Sequence, residues 1–267
     1  MPSNALVAWA SLLFAATSLI SCSTQEPEWK LVWTEDFDGE TIDESVWSRI
    51  GRGYSDWDNM MSLRSDLAYV ENGELVLLGK VNDHSSADDT PFVTGGIWSE
   101  HKKSFQLARF EVRAKFNHVQ GFWPALWLMP DIWLPGHSYA EIDIMEHIND
   151  EAVVYQTVHS RYTLDTPEDH QPPHSHSSPF RVGDWNTYAT EVYADSICFF
   201  LNDVKTFTYA RMEDTELQFP WPDCPFYLIL SNQLEGAWVG AVSHPEQLPC
   251  ELRVDWVKVY ERRRMRK

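Results

Sequence analysis

The run Glu141-Ile142-Asp143-Ile144-Met145-Glu146 places three carboxylates within six residues of a strand-like segment. Successive side chains on a strand face opposite ways, so Glu141 and Asp143 share one side. Strict alternation would put Met145 with them and turn Glu146 away. A one-residue β-bulge near Met145 returns Glu146 to the acidic face. The bulged run spans about 13 Å at roughly 3.3 Å per residue, so two inward-leaning glutamates can bring their carboxyls to roughly 5–5.5 Å. At that separation one carboxylate can attack an anomeric carbon while the other protonates the departing oxygen. Crowding like charges on one face costs stability, which points to chemistry; the plainer reading is a solvated acidic face.

The context favours chemistry. Just upstream lies Gly121-Phe122-Trp123-Pro124-Ala125-Leu126-Trp127-Leu128-Met129-Pro130, an aromatic strand. By strand period Trp123, Ala125 and Trp127 share a face. Sugar rings present apolar C–H faces, and tryptophan offers a large flat surface for them. Tryptophans beside a carboxylate cluster describe a polysaccharide cleft.

Phe122 to Trp127 together with Glu141 to Glu146 closely resembles glycoside hydrolase family 16. Trp33-Thr34-Glu35-Asp36-Phe37-Asp38-Gly39 is similar to that family's opening strand, with Glu-Asp where Asp-Glu is usual. Phe105–Phe116 resembles the strand before the cleft tryptophans, and Val254–Tyr260 the closing strand. The resemblance covers about residues 29–262 and implies an all-β fold: a two-sheet antiparallel β-sandwich, or jelly roll, with a concave substrate cleft. It also implies a retaining glycosidase with Glu141 as nucleophile, Glu146 as acid/base and Asp143 orienting the nucleophile between them. That division requires the higher pKa on Glu146. For substrate contact the resemblance points to Trp123, Trp127, His159, Trp57 and Asn59, and Trp238 sits in a loop bounded by Gly236 and Gly240 and is expected to line the cleft. No cofactor is required for the chemistry. Many members carry a structural Ca²⁺ on the convex face through an aspartate of the closing strand, a position matched by Asp255.

Period supports the same architecture. Phe110, Val112, Ala114 and Phe116 alternate with Glu111, Arg113 and Lys115, the pattern of a half-buried strand. Tyr188–Tyr193, Ser196–Leu201, Phe226–Asn232 and Leu252–Tyr260 also read as strands, with Asn202-Asp203 as a hairpin turn. Regularly spaced short strands indicate a sandwich.

The chain has 267 residues, enough for one sizeable core, and 13 tryptophans. Forty acidic against 21 basic residues give a net charge of −19, which excludes nucleic acid and anionic lipid surfaces as natural partners and favours a neutral glycan. Ala5–Ile20 is an apolar stretch of signal-peptide length, and Leu19-Ile20-Ser21-Cys22 resembles a bacterial lipobox, although no Lys or Arg precedes it. The expected organisation is a signal peptide over 1–21, a tether over 22–28 lipidated at Cys22, the catalytic domain over 29–262 and a basic tail over 263–267. An outer-membrane lipoprotein follows, touching the membrane through its lipid alone and facing either outward or the periplasm, with a monomer as the default. Cys198 reads as a buried thiol, while Cys224 and Cys250 could bridge two late loops. His170, His174 and His176 invite a metal reading, but their Pro-rich segment suits a polar loop over the reducing-side subsites better.

Substrate is less constrained than reaction type. The residues 133–140 ahead of Glu141, the segments His147–Asp150 and Gln156–Ser160, and the lipoprotein signal are similar to the branch of surface endo-β-1,4-galactosidases that trim poly-N-acetyllactosamine in mucin O-glycans. An endo-β-1,3-glucanase (laminarinase) is the alternative. A transglycosylase would share every catalytic residue, and a non-catalytic glycan-binding lipoprotein would have no use for the three carboxylates.

Overall fold

A computed structural model describes residues 28–132, 139–165, 170–213, 215, 217–219 and 223–263. Cys22, the signal segment and residues 264–267 of the basic tail lie outside the described residues. The early strands are β1 (Trp29–Glu35), β2 (Ser48–Arg49), β3 (Ala68–Glu71), β4 (Glu74–Val81), β5 (Phe92–Thr94) and β6 (Gly96–Trp98). Next come β7 (Ser104–Phe105), β8 (Ala108–Phe116), β9 (Phe122–Pro130), β10 (Ala140–Glu146), β11 (Val153–Ser160) and β12 (Ser175–Pro179). The series closes with β13 (Asn186–Val192), β14 (Ser196–Leu201), β15 (Val204–Ala210), β16 (Phe226–Leu234) and β17 (Cys250–Arg262).

They form two antiparallel sheets. One runs β15-β14-β13-β8-β17-β4-β3, with β1 on β17 and β5 on β4. The other runs β12-β11-β10-β9-β16-β6-β2, with β7 on β16, and carries the carboxylates. Alternation explains how they pack. Phe110, Val112, Ala114 and Phe116 of β8 enter the core between the sheets, while Arg109 pairs outward with Glu111 and, at 2.8 Å, with Glu191. From the facing sheet, Phe122, Leu126 and Leu128 of β9 meet them. Asn202 and Asp203 turn with φ of 50° and 64°, which two short polar residues tolerate in a two-residue hairpin. The expected strands are present, and β16 and β17 run two residues further at their ends.

The bulge sits where the carboxylates need it. Asp143 lies opposite Trp127 of β9, and Met145 already lies opposite Leu126. On the other side, Asp143 pairs with Thr157 and Glu146 with Tyr155 of β11. One extra residue of β10 is thereby absorbed. Ile142, Ile144 and Met145 are all fully buried in the inter-sheet core, so two consecutive apolar side chains point inward and Glu146 is returned to the cleft.

One expectation fails. Cys224 and Cys250 are separate buried thiols, with Cys224 Sγ directed at the Ile132 carbonyl and Cys250 Sγ at that of Gly79. They belong to different parts of the sandwich and do not bridge. Cys198 is also a buried free thiol, as its apolar surroundings suggested.

Deleting Ile144 should test the bulge. The shortened run Glu-Ile-Asp-Met-Glu alternates perfectly, so all three carboxylates should stay on the cleft face. The variant should fold at a cost of about 2–5 kcal/mol for the lost core side chain, measured by urea unfolding. Failure to fold would mean that the bulge does more than restore alternation.

Candidate active site

Strand β10 lies between β9 and β11, and all three carboxylates face the same cavity of about 160 Å³. Its walls are Trp57, Trp123, Ala125, Trp127, Tyr139, Glu141, Asp143, Glu146, Ser231 and Gln233. Each carboxyl has a different partner. The Tyr139 hydroxyl donates to Glu141 Oε2. Trp123 Nε1 donates to Glu146 Oε1 at 3.0 Å. His159, opposite Glu141 on β11, brings Nε2 to 3.4 Å from Asp143 Oδ2 and 3.7 Å from Glu141 Oε1.

Burial raises all three carboxyl pKa values. Glu141 is pushed up to about 7, against the opposing hydrogen bond from Tyr139. Glu146 rises to about 8, through burial and then through the charge of Glu141, with Trp123 opposing. Asp143, only 2% exposed, is raised well above the carboxylate range by burial and by both glutamates. Burial thus raises both glutamates, and the charge of Glu141 adds to the rise at Glu146. Burial lowers the pKa of His159, favouring the neutral ring.

The sequence-predicted residues occupy distinct places. Trp123 and Trp127 share the cleft face, but Trp127 is largely buried. Its Nε1 donates to Ser231 Oγ at 3.1 Å, and its ring meets Trp57 edge-on at 4.8 Å. Trp127 therefore forms floor, while Trp123 stays partly open. Trp238 stands at the rim, 44% exposed, edge-on to Trp123 at 5.5 Å and to Tyr155 at 5.3 Å. The rim loop is tied down where Ala237 N donates to Asp56 Oδ2 at 2.6 Å. Beside that contact Gly236 has φ of 148°, and a Cβ there would come within 3.0 Å of the Asp56 carboxylate. Asn59 is not on the cavity wall; its Oδ1 accepts from Gln233 Nε2 at 2.8 Å behind it. Sequence reasoning missed Tyr139, Ser231 and Gln233. The signal for the latter two was Ser231-Asn232-Gln233, a polar interruption in an otherwise apolar strand.

A scan against family models matches "Glycosyl hydrolases family 16" over residues 61–258. The chain belongs to that family. Keratan-sulfate endo-1,4-beta-galactosidase of Sphingobacterium multivorum is 35% identical over 92% of this chain, which spans 59% of that relative's length. The beta-glucanase of Rhodothermus marinus is 32% identical over 92% of this chain and 93% of its own length. Among solved structures, the laminarinase from Rhodothermus marinus superposes with a TM-score of 0.75 at 29% identity, covering 90% of this chain and all of its own. A structure described under endo-acting O-glycanases of the human gut microbiota that initiate mucin breakdown superposes at 0.71 and 28% identity, covering 86% and 98%. This family-16 jelly roll is thus a glycoside hydrolase fold with relatives of both galactosidase and glucanase kind.

The Asp255 carboxylate pairs with Arg113, whose guanidinium lies over Trp185 at 4.7 Å. A carboxylate so engaged does not fit a Ca²⁺ ligand. Among the described residues, the only three metal-capable side chains with ligand atoms within 4.8 Å of one another are Glu141, Asp143 and His159. His170 and His174 pack edge-on at 4.3 Å, with His174 6.1 Å from His159, while His176 stacks on Phe207. Burial and its neighbouring histidines lower the pKa of His174 to about 4, so this loop brings a neutral His174 ring near His159.

The raised carboxyl pKa values fix a pH dependence. Between the ordinary value of 4.5 and about 7–8 the folded protein holds more protons than the unfolded chain, so stability falls as pH rises through that window. Glu141→Gln removes one contributor and relieves Glu146. Its melting temperature should exceed that of the wild type by a margin that grows from pH 5 to pH 8, at about 2–4 °C per kcal/mol of repulsion relieved. A margin independent of pH would contradict the assigned burial of charge.

Proposed function

We propose that this family-16 enzyme is a retaining endo-β-1,4-galactosidase acting on poly-N-acetyllactosamine chains of the mucin O-glycan type. The observation that carries the reaction class is the convergence of Glu141, Asp143 and Glu146 on one cavity lined by tryptophans. Glu141 attacks the anomeric carbon as Glu146 protonates the glycosidic oxygen. The C–O bond breaks and a glycosyl ester forms on Glu141. Glu146, now a carboxylate, takes a proton from water, whose oxygen attacks the same carbon and releases Glu141. Two inversions retain the β-configuration. Asp143 lies between the two glutamates and orients the nucleophile, while His159 borders both Asp143 and Glu141. Trp123 has two tasks: it presents a face to the sugar, and its indole N–H holds Glu146. Trp57 and Trp238 extend the aromatic surface, and Trp127 and Asn59 support it.

Azide distinguishes the two glutamates on an activated aryl glycoside. Glu141→Ala should lose more than 10³-fold in turnover and, with azide, yield the α-glycosyl azide. Glu146→Ala with azide should yield the β-azide from the trapped ester. Exchanged stereochemistry would reverse the assignment.

The galactosidase reading draws support from 35% identity to a keratan-sulfate endo-1,4-beta-galactosidase over 92% of the chain. The comparable likeness to a beta-glucanase favours laminarinase as the second reading. Residues 29–267 should release oligosaccharides ending in reducing galactose from poly-N-acetyllactosamine and mucin O-glycans, sized by mass spectrometry, with Glu141→Gln inactive but still binding. Glucose oligomers from laminarin alone would establish the second reading; binding without cleavage of laminarin, agarose or either glycan would leave a lectin-like protein. The same proposal places the enzyme on a bacterial envelope through a lipid on Cys22. Fatty-acid labelling lost in Cys22→Ala is the expected result, and labelling retained in the variant would remove the anchor.

A further inference from the structure

Two buried acceptors on the cavity wall have no hydrogen-bond partner among the described residues: Asp143 Oδ2 and Gln233 Oε1. The first belongs to the chemistry. The second serves no step of it, yet it is held with care. Gln233 is 1% exposed and pairs across the sheet with Trp123. Its Nε2 donates to the Leu234 carbonyl at 2.9 Å and to Asn59 Oδ1 at 2.8 Å. The Leu234 carbonyl can only accept, so it fixes which end of the amide is nitrogen. Both N–H groups are then committed, and rotation to exchange nitrogen and oxygen would set Oε1 against the oxygens of the Leu234 carbonyl and of Asn59. What remains is Oε1, a buried carbonyl oxygen that can only accept.

A buried acceptor without a partner carries its full desolvation penalty, and one locked in place in a residue of the cavity wall is suited to a ligand that supplies the missing donor. We infer that Gln233 is a specificity residue: its carbonyl accepts from a sugar donor, either a hydroxyl or an acetamido N–H, on the Trp57–Asn59 side of the three carboxylates. Its neighbours complete a reading device. Trp123 and Trp127 place the ring, Ser231 is occupied by Trp127, and Gln233 is left to select the polar edge of the sugar. Sugars lacking a donor at that position leave the carbonyl unsatisfied and are rejected, which is how a site of buried polar groups discriminates more strongly than an apolar one. The inference deepens the proposed galactosidase function and rests on it for the identity of the sugar.

The test is Gln233→Met, which keeps the length of the side chain and removes the acceptor. Binding of a poly-N-acetyllactosamine oligomer is measured calorimetrically in the Glu141→Gln background, and kcat and KM in the otherwise native enzyme. The expected result is a 10–100-fold loss in affinity and in kcat/KM, with near-native folding by circular dichroism. An oligomer with 2-deoxyglucose in place of N-acetylglucosamine separates the two donors: equal losses on both forms assign a hydroxyl, and loss confined to the acetylated form assigns the acetamido N–H. If the wild type cleaves laminarin alone, the same loss measured on laminarin keeps the role of Gln233 and removes the galactosidase reading. Affinity and kcat/KM within about threefold of wild type on the cleaved substrate, whatever the change in melting temperature, would overturn the inference and leave Gln233 a strand-packing residue. Gln233→Ala provides the second variant should the methionine fail to fold.

Discussion

Three carboxyl groups held out of water on six residues of one strand are the constraint around which this molecule is organised. Each ionised carboxylate in that position pays for lost hydration and for the charge of its neighbours. The protein offsets the cost locally. Tyr139 and Trp123 donate to one glutamate each, and the remaining strain is absorbed as protonation, with pKa values pushed up until at least part of the cluster is neutral. The anchoring is apolar: Ile142, Ile144 and Met145 fix β10 from beneath through the inter-sheet core.

The same constraint explains why the cleft is built from central strands. β16 is buried over all nine of its residues, and it lies between β9 on one side and the short strands β6 and β7 on the other. Its alternation sends Ser231 and Gln233 toward the cavity and Asn232 the other way, to the Leu77 carbonyl of the opposite sheet at 2.8 Å. Cleft polarity and sheet-to-sheet registry thus come from consecutive residues. The aromatic side chains are likewise shared: Trp127 is floor, Trp238 is rim, and Trp123 links sugar platform to acid. Acidic residues dominate the rest of the surface, which suits a neutral ligand held by stacking and hydrogen bonds rather than by charge.

Local period made most of the fold legible. The alternation in β8, the Asn202-Asp203 turn and the need for a bulge before Glu146 follow from side-chain direction alone, because a period of two leaves few ways to bury Ile142, Ile144 and Met145 together. The site was legible to the extent that it is consecutive: Glu141, Asp143 and Glu146 are neighbours in sequence. Gln233 and Tyr139 were not, since their importance depends on which acceptor remains unpaired and on a contact made at the end of a strand. Asn59 was expected at the sugar and instead braces Gln233, a difference that only the register between β16 and the loop before β3 decides. Asp255 fitted a ligand pattern in sequence, but the neighbouring strand places Arg113 against it. The Cys224–Cys250 bridge failed for a similar reason: cysteine spacing carries no information about which sheet each thiol packs into.

The central claim is that burial raises both glutamates and that the charge of Glu141 raises Glu146 further. Carbon-13 NMR titration of selectively labelled glutamate carboxyls, in the wild type and in Glu141→Gln, tests it most directly. The account predicts that the Glu146 midpoint, about 8 in the wild type, moves downward once the charge at 141 is removed, while remaining above the ordinary glutamate value because burial persists. A Glu146 midpoint that stays put or rises in the variant, or one that lies at the ordinary value in the wild type, would contradict the account.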